Sequence, residues 1–117
     1  MNNMPHIDIR SSKVLGPTER SDIQQGICEI ISLIPGKTPA NTVICISDGC
    51  SMYKDGNAIE GIFVDVRLFK ESPEESKKAF AEKLFALTEC ITGIPKQYIQ
   101  LNFIELPVWA ANGQYLT

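Results

Sequence analysis

The sequence predicts an α+β fold made of two β-α-β units in tandem, and three observations carry that prediction. Each half of the chain runs from an alternating strand through a proline-headed helix to a second strand. The landmarks of the halves recur at offsets that agree to within one residue: Pro17 to Pro73 and Pro39 to Pro95 are both 56 residues, and the apolar helix faces pair at 57 (Ile23 with Phe80, Ile27 with Leu84, Ile30 with Leu87, Ile34 with Ile91). The strands carry apolar residues on both faces, while only two helices are present to cover them. Right-handed crossovers then give a four-stranded mixed sheet with both helices on one face. The expected organisation is a single domain over 1–117, with pseudo-repeats at about 5–47 and 61–106 and a tail at 107–117.

The elements follow in order. His6 to Arg10 alternates as a short strand behind Met4-Pro5, and Ser11 to Leu15 reads as a loop. Pro17 at a first helical position, with Glu19 two residues later, starts a helix whose face is Ile23, Ile27, Ile30 and Ile34. Gly26 weakens its interior by roughly 1 kcal/mol relative to alanine, and Pro35-Gly36 ends it. A β-branched strand spans about Thr42 to Ser47. Asp48-Gly49 and Asp55-Gly56 are turn signals around a short hairpin or an irregular loop. Gly61 to Phe69 is the next strand. Ser72-Pro73-Glu74-Glu75 reads as a capping box heading the second helix, Gly93 stops that helix, and Gln97 to Leu106 is the last long strand. The tail, with Trp109 and Tyr115, has no periodicity.

Composition narrows the function. A chain of 117 residues, 44% apolar and 21% charged, suits one globular core. The net charge of −3 and the lack of any basic run argue against nucleic acid and anionic membranes. No apolar stretch reaches the roughly 18 residues of a membrane span, and the N-terminus has no hydrophobic signal region. Cys28, Cys45, Cys50 and Cys90 form no CxxC pair and His6 is the lone histidine, so neither a metal site nor a cofactor is expected. The expected location is the cytoplasm. Alternation in Thr42–Ser47 and Ile62–Phe69 leaves apolar residues on the uncovered sheet face, which points to burial against other subunits. A closed oligomer follows.

Pro5 is the one candidate for chemistry that the opening stretch offers. If the mature chain begins there, its secondary amine is a compact base that titrates near neutrality when its charged form is disfavoured. If Met4 is retained, the nitrogen is an amide without basicity, and Pro5 simply opens an edge strand.

Met4-Pro5-His6-Ile7-Asp8-Ile9, followed by two β-α-β units, resembles the tautomerase superfamily over nearly the whole chain from Met4. Pro35-Gly36-Lys37-Thr38-Pro39 resembles the segment of macrophage migration inhibitory factor that carries an active-site lysine. Gly93-Ile94-Pro95 through Asn102-Phe103 resembles its last long strand, and the tail from Trp109 to Thr117 is more similar to malonate semialdehyde decarboxylase. The resemblance implies a homotrimer with Pro5 as base, Lys37 as carboxylate or enolate partner, and Asn102 and Trp109 lining the pocket, partly from a neighbouring subunit. Gln100 stands where the family has a pocket tyrosine, and no arginine heads the first helix as in 4-oxalocrotonate tautomerase. Lys70-Glu71 replaces an arginine pair of the decarboxylase, and an acid there repels a carboxylate substrate. The implied activity is therefore enol–keto tautomerisation of a 2-keto acid such as phenylpyruvate. The alternative is a non-catalytic trimeric binding protein in which Pro5 is internal.

Overall fold

A computed structural model describes residues 4–116. Its main sheet has four strands: β1 (His6–Ser11), β2 (Val43–Ser47), β5 (Ile62–Phe69) and β6 (Ile99–Leu106), in the order β2-β1-β5-β6. β1 runs parallel to β2 and β5 parallel to β6, while β1 and β5 meet antiparallel at the centre. The two helices, α1 (Pro17–Ile30) and α2 (Glu74–Thr92), make the crossovers and pack on each other over one sheet face. The expected mixed sheet of two β-α-β units is what the chain forms.

Alternation along the strands builds the core. Ile7 and Ile9 of β1 and Ile62, Val64, Val66 and Leu68 of β5 turn toward the helices and are fully or almost fully buried. Ile23 and Ile27 of α1 and Phe80 and Leu84 of α2 meet them. Burying each such side chain contributes about 1.5–3 kcal/mol. The α1 face differs from expectation at its end. The helix tightens into a 3-10 turn at Ile31–Leu33, so Ile31 and Ile34 become the buried residues and Ile30 sits at the core margin. In α2 the buried positions after Leu84 are Thr88 and Thr92, with Leu87 and Ile91 only partly covered. Both hydroxyls donate back to carbonyls one turn earlier, Thr88 to Leu84 at 2.8 Å and Thr92 to Thr88 at 2.6 Å. That is how threonine can be buried there without a polar penalty.

Gly26 has a packing role that propensity does not reveal. A Cβ at this position would lie 2.4 Å from Leu87 Cδ1, so the missing side chain lets α2 seat Leu87 against α1.

The helix starts obey different rules. Pro17 occupies the first turn of α1, and the Glu19 carboxylate accepts from Gly16 N–H at 3.0 Å. The capping box expected at Ser72–Glu75 does not form. Pro73 is itself the N-cap, and the Ser72 N–H donates to Glu105 of β6 at 2.7 Å. A neighbouring strand has taken over what a local cap would do. Gly93 ends α2 as expected, in the left-handed region at φ 77°, with its N–H on Glu89 O at 2.8 Å.

Two hairpins flank the sheet. The ambiguous segment after Asp48 contains β3 (Tyr53–Lys54) and β4 (Asn57–Ala58), joined by Asp55-Gly56 with φ 52° and 76°. The tail forms β7 (Trp109–Ala111) and β8 (Gln114–Leu116) around Asn112-Gly113, at φ 54° and 72°. Positive φ at both central residues is the turn that matches strand twist.

The sheet face away from the helices is more polar than expected. Register aligns Cys45, Asp8, Asp65 and Asn102 in one row, and Val43, His6, Arg67 and Ile104 in the next. Arg10 bonds Asp65 at 3.0 Å and lies over the Phe63 ring at 5.8 Å. Asp65 is thus paired across strands, from β5 to β1. Among the described residues no helix is long and apolar enough to cross a membrane.

Candidate active site

Pro5 is buried where β1 begins and β5 and β6 end. Its carbonyl accepts from Val43 N–H at 3.0 Å, which fixes the chain entry against the edge strand β2. Around it lies a cavity of about 450 Å³ lined by Met4, Pro5, His6, Arg67, Val108 and Trp109, among others. The antiparallel register puts Arg67 directly opposite His6, so two groups able to carry positive charge stand beside the proline. The β7–β8 hairpin supplies Trp109 and walls off the apolar side. When Met4 is present it also lines this space, with its sulfur 3.7 Å from Asn112 Nδ2. A retained Met1-Asn2-Asn3 extension would be expected from the sequence to crowd the mouth of this cavity, and those three residues lie outside the described ones.

Lys37 lies in a second cavity of about 260 Å³, with Pro35, Phe69, Lys70, Glu71 and Ser72. It is not a solvated charge at a helix end, since only 4% of its surface is exposed. Burial pushes its pKa below the usual lysine value, and the negative charge of Glu105 partly opposes this. Glu105 is committed elsewhere. It accepts from Lys77 Nζ at 2.9 Å and from Ser72 N–H at 2.7 Å, and these bonds, the lysine's first, hold its pKa low. Phe69 lines the Lys37 cavity and packs on Trp109 with ring centroids 6.5 Å apart, so the ring pair partitions the two spaces. Glu71 faces the Lys37 cavity rather than that of Pro5. Lys70 adopts φ 67° at the β5–α2 junction, a strained conformation for a residue with a Cβ.

Of the four residues singled out by sequence, Pro5 and Trp109 share one cavity and Lys37 lines the next. Asn102 joins neither. It is exposed in mid-β6, opposite Asp65 on the outer sheet face. Arg67 and His6 are the site residues that sequence reasoning did not assign. The signal available was the antiparallel pairing of β1 with β5, which is invisible until the strand order is known. A third cavity, about 380 Å³, lies at the opposite end of the sheet beside the β3–β4 hairpin and includes Gln100 and Tyr98. None of the four expected site residues lines it. Among the described residues no group of three metal-ligating side chains gathers.

Comparison with solved structures gives the fold a context. The structure of MIF2 from Leishmania major superposes with a TM-score of 0.89 at 19% identity, covering 97% of each chain. Pt0534, solved after inactivation by 2-oxo-3-pentynoate, matches with a TM-score of 0.83 at 15% identity over 94% of this chain and 95% of that one. A fused 4-OT solved as a symmetric trimer matches with a TM-score of 0.83 at 14% identity over 94% of each chain. No protein-family model matches the sequence, and no curated protein matches it. At these identities the likeness shows the fold alone: this chain has the fold seen in MIF homologues and fused 4-OT.

Proposed function

We propose that the chain, when it begins at Pro5, is an enol–keto tautomerase for a small 2-keto acid such as phenylpyruvate. The observation that carries this reading is the cavity around Pro5, where a potential amine base, a guanidinium and an aromatic wall converge. The proline nitrogen would remove a proton alpha to the carbonyl and return it at the other end of the enol. Arg67 would hold the substrate carboxylate, and positive potential from Lys37 behind the Phe69–Trp109 pair would favour charge developing on the enolate oxygen. Trp109 would pack against the aryl group. That a 2-oxo acid derivative inactivates Pt0534, which shares the fold, is in keeping with such a substrate class.

The same reading makes the protein a cytoplasmic homotrimer, as the fused 4-OT structure is a trimer. Asn102 would then reach a neighbouring subunit's cavity from its exposed position on β6. Phenylpyruvate enol–keto conversion, followed by ultraviolet absorbance on the Pro5-headed chain, tests the proposal. Arg67→Ala should raise KM about tenfold or more, the equivalent of one charge-assisted hydrogen bond. An unchanged KM would remove Arg67 from the mechanism.

A second reading applies to a chain that keeps Met4. There the methionine lines the cavity and the proline nitrogen is acylated, leaving a binding protein on the same scaffold without a base.

A further inference from the structure

We propose that His6 donates a hydrogen bond to the carbonyl oxygen of the substrate in the Pro5 cavity, and so stabilises the enolate directly. This role rests on the tautomerase reading and belongs to that same site. Lys37 lies in the next cavity, behind the Phe69–Trp109 rings, so a substrate beside Pro5 must find its donors elsewhere. Among the described residues that line the Pro5 cavity, only His6, Arg67 and Trp109 carry a side-chain N–H. Trp109 is engaged with Phe69, ring centroids 6.5 Å apart. His6 is half-buried on the outer sheet face, where its cross-strand neighbour is Arg67. The two acids in the adjacent row, Asp8 and Asp65, are both held by Arg10, at 3.9 and 3.0 Å. Among the described residues, neither the His6 imidazole nor the Arg67 guanidinium has a hydrogen-bond or ion-pair partner.

Directly opposed residues of an antiparallel pair stand about 5 Å apart at Cβ. A 2-keto acid carries its carboxylate and its carbonyl oxygen on adjacent carbons, so one cross-strand pair can serve both. The guanidinium fork matches the two oxygens of the carboxylate. That leaves the single oxygen to the imidazole, which has an N–H to donate whether it is neutral or charged. When the Pro5 nitrogen takes the proton alpha to the carbonyl, the C–H electron pair becomes the C=C bond and the carbonyl π pair moves onto oxygen. The hydrogen bond from His6 strengthens as that charge grows, so it lowers the barrier more than it tightens substrate binding. The imidazole keeps its own proton, and the transferred one travels on the proline nitrogen. Consecutive residues, Pro5 and His6, thus act as base and oxyanion donor.

The Pro5-headed chain and its His6→Phe and His6→Gln forms test this role. Phenylalanine keeps a planar ring but has no N–H, whereas glutamine keeps a donor. With phenylpyruvate, His6→Phe should lower kcat by at least about tenfold and raise KM by no more than about threefold. Arg67→Ala should show the opposite split. His6→Gln should hold kcat at least about threefold above the phenylalanine form. An unchanged kcat in His6→Phe, or equal losses in both variants, would overturn the proposal. A loss confined to Trp109→Phe would overturn it too, by giving the role to the indole. A binding arm needs no turnover. Phenylglyoxylate is a 2-keto acid with no alpha proton to remove, and phenylacetate is its counterpart without the 2-oxygen. Calorimetry should show the unaltered chain preferring phenylglyoxylate about threefold, and His6→Phe binding the two alike. Equal binding by the unaltered chain would overturn the proposal. A preference that depends on His6 in a chain without turnover would overturn the tautomerase reading alone, so the two can fail separately.

Discussion

Lys37 shows how a residue common on protein surfaces becomes informative when buried. A buried ammonium without an ion-pair partner costs stability that an apolar side chain of similar length would not. Lys37→Met should therefore raise the thermal midpoint by a few degrees, at roughly 4 °C per kcal/mol, while weakening binding of an aryl 2-keto acid. Calorimetry on both forms checks the first part, and a lower midpoint in the variant would contradict it. The pH dependence has a definite sign. Because the folded pKa is lowered, the unfolded chain binds more protons between that value and the ordinary 10.5, and this residue's effect is a stability that rises with pH over that interval. Lys37→Met should flatten the rise. Gly26 is the second residue whose meaning depends on its neighbour. Alanine gains helix propensity there but collides with Leu87, so Gly26→Ala should destabilise by about 1 kcal/mol in the native background. In a Leu87→Ala background the same change should stabilise by about as much, through propensity alone. Denaturant midpoints of the four proteins in this cycle check it, and equal effects in both backgrounds would mean the helices do not touch at this point.

At the scale of elements, the β7–β8 hairpin is the piece that completes the Pro5 cavity. Gly113 holds φ 72° at its turn, with open space where a Cβ would go. Gly113→Ala should therefore act through backbone strain alone, by about 1 kcal/mol. It should loosen the hairpin and raise KM while barely moving the global midpoint, because the hairpin lies outside the main sheet. A parallel loss of global stability would show instead that the tail is part of the core. This hairpin is legible in the sequence only as a turn: Asn112-Gly113 is a strong short-range signal, while its three-residue strands are too short to show periodicity. The long elements were legible because their apolar spacing is redundant over several turns. Ile31 replaced Ile30 in the core because the helix tightened, a change of pitch that spacing does not encode. The missing cap at α2 is a tertiary effect, since Glu105 comes from a strand 33 residues further along.

For the whole molecule, the tandem repeat determined the architecture, whereas the site depended on how its ends met. Pro5, Arg67 and Trp109 are far apart in sequence and converge only through the central antiparallel pairing and the folded-back tail. Asn102 lies exposed on β6 and lines none of the three cavities described above, so its proposed role depends on a neighbouring subunit. Light scattering at micromolar concentration should give about three times the 13.0 kDa chain mass, and a monomer would remove Asn102 from the site. Acid should weaken the fold through two carboxylates. Asp48 is held low by the Leu15 N–H and then by Arg20, and Glu105 by Lys77 and then the Ser72 N–H. Their folded pKa values are depressed, so their contributions are complete above the ordinary values of 3.8 and 4.5 and fade as pH falls through the lower folded values. Asp48→Asn and Glu105→Gln should each reduce that acid sensitivity in denaturant titrations.

The central claim is that the Pro5 nitrogen is the base, and it is tested most directly by changing only whether that nitrogen is free. Methionine removal favours a small following residue, so a chain started at Met4 should be processed to Pro5, whereas one started at Met1 should keep its extension ahead of the proline. Intact mass would establish both termini before phenylpyruvate enol–keto conversion is followed by ultraviolet absorbance. The account predicts clear activity for the chain headed by Pro5 and little for the extended chain. Equal activity in the two would contradict it, since the acylated nitrogen has no lone pair to accept a proton.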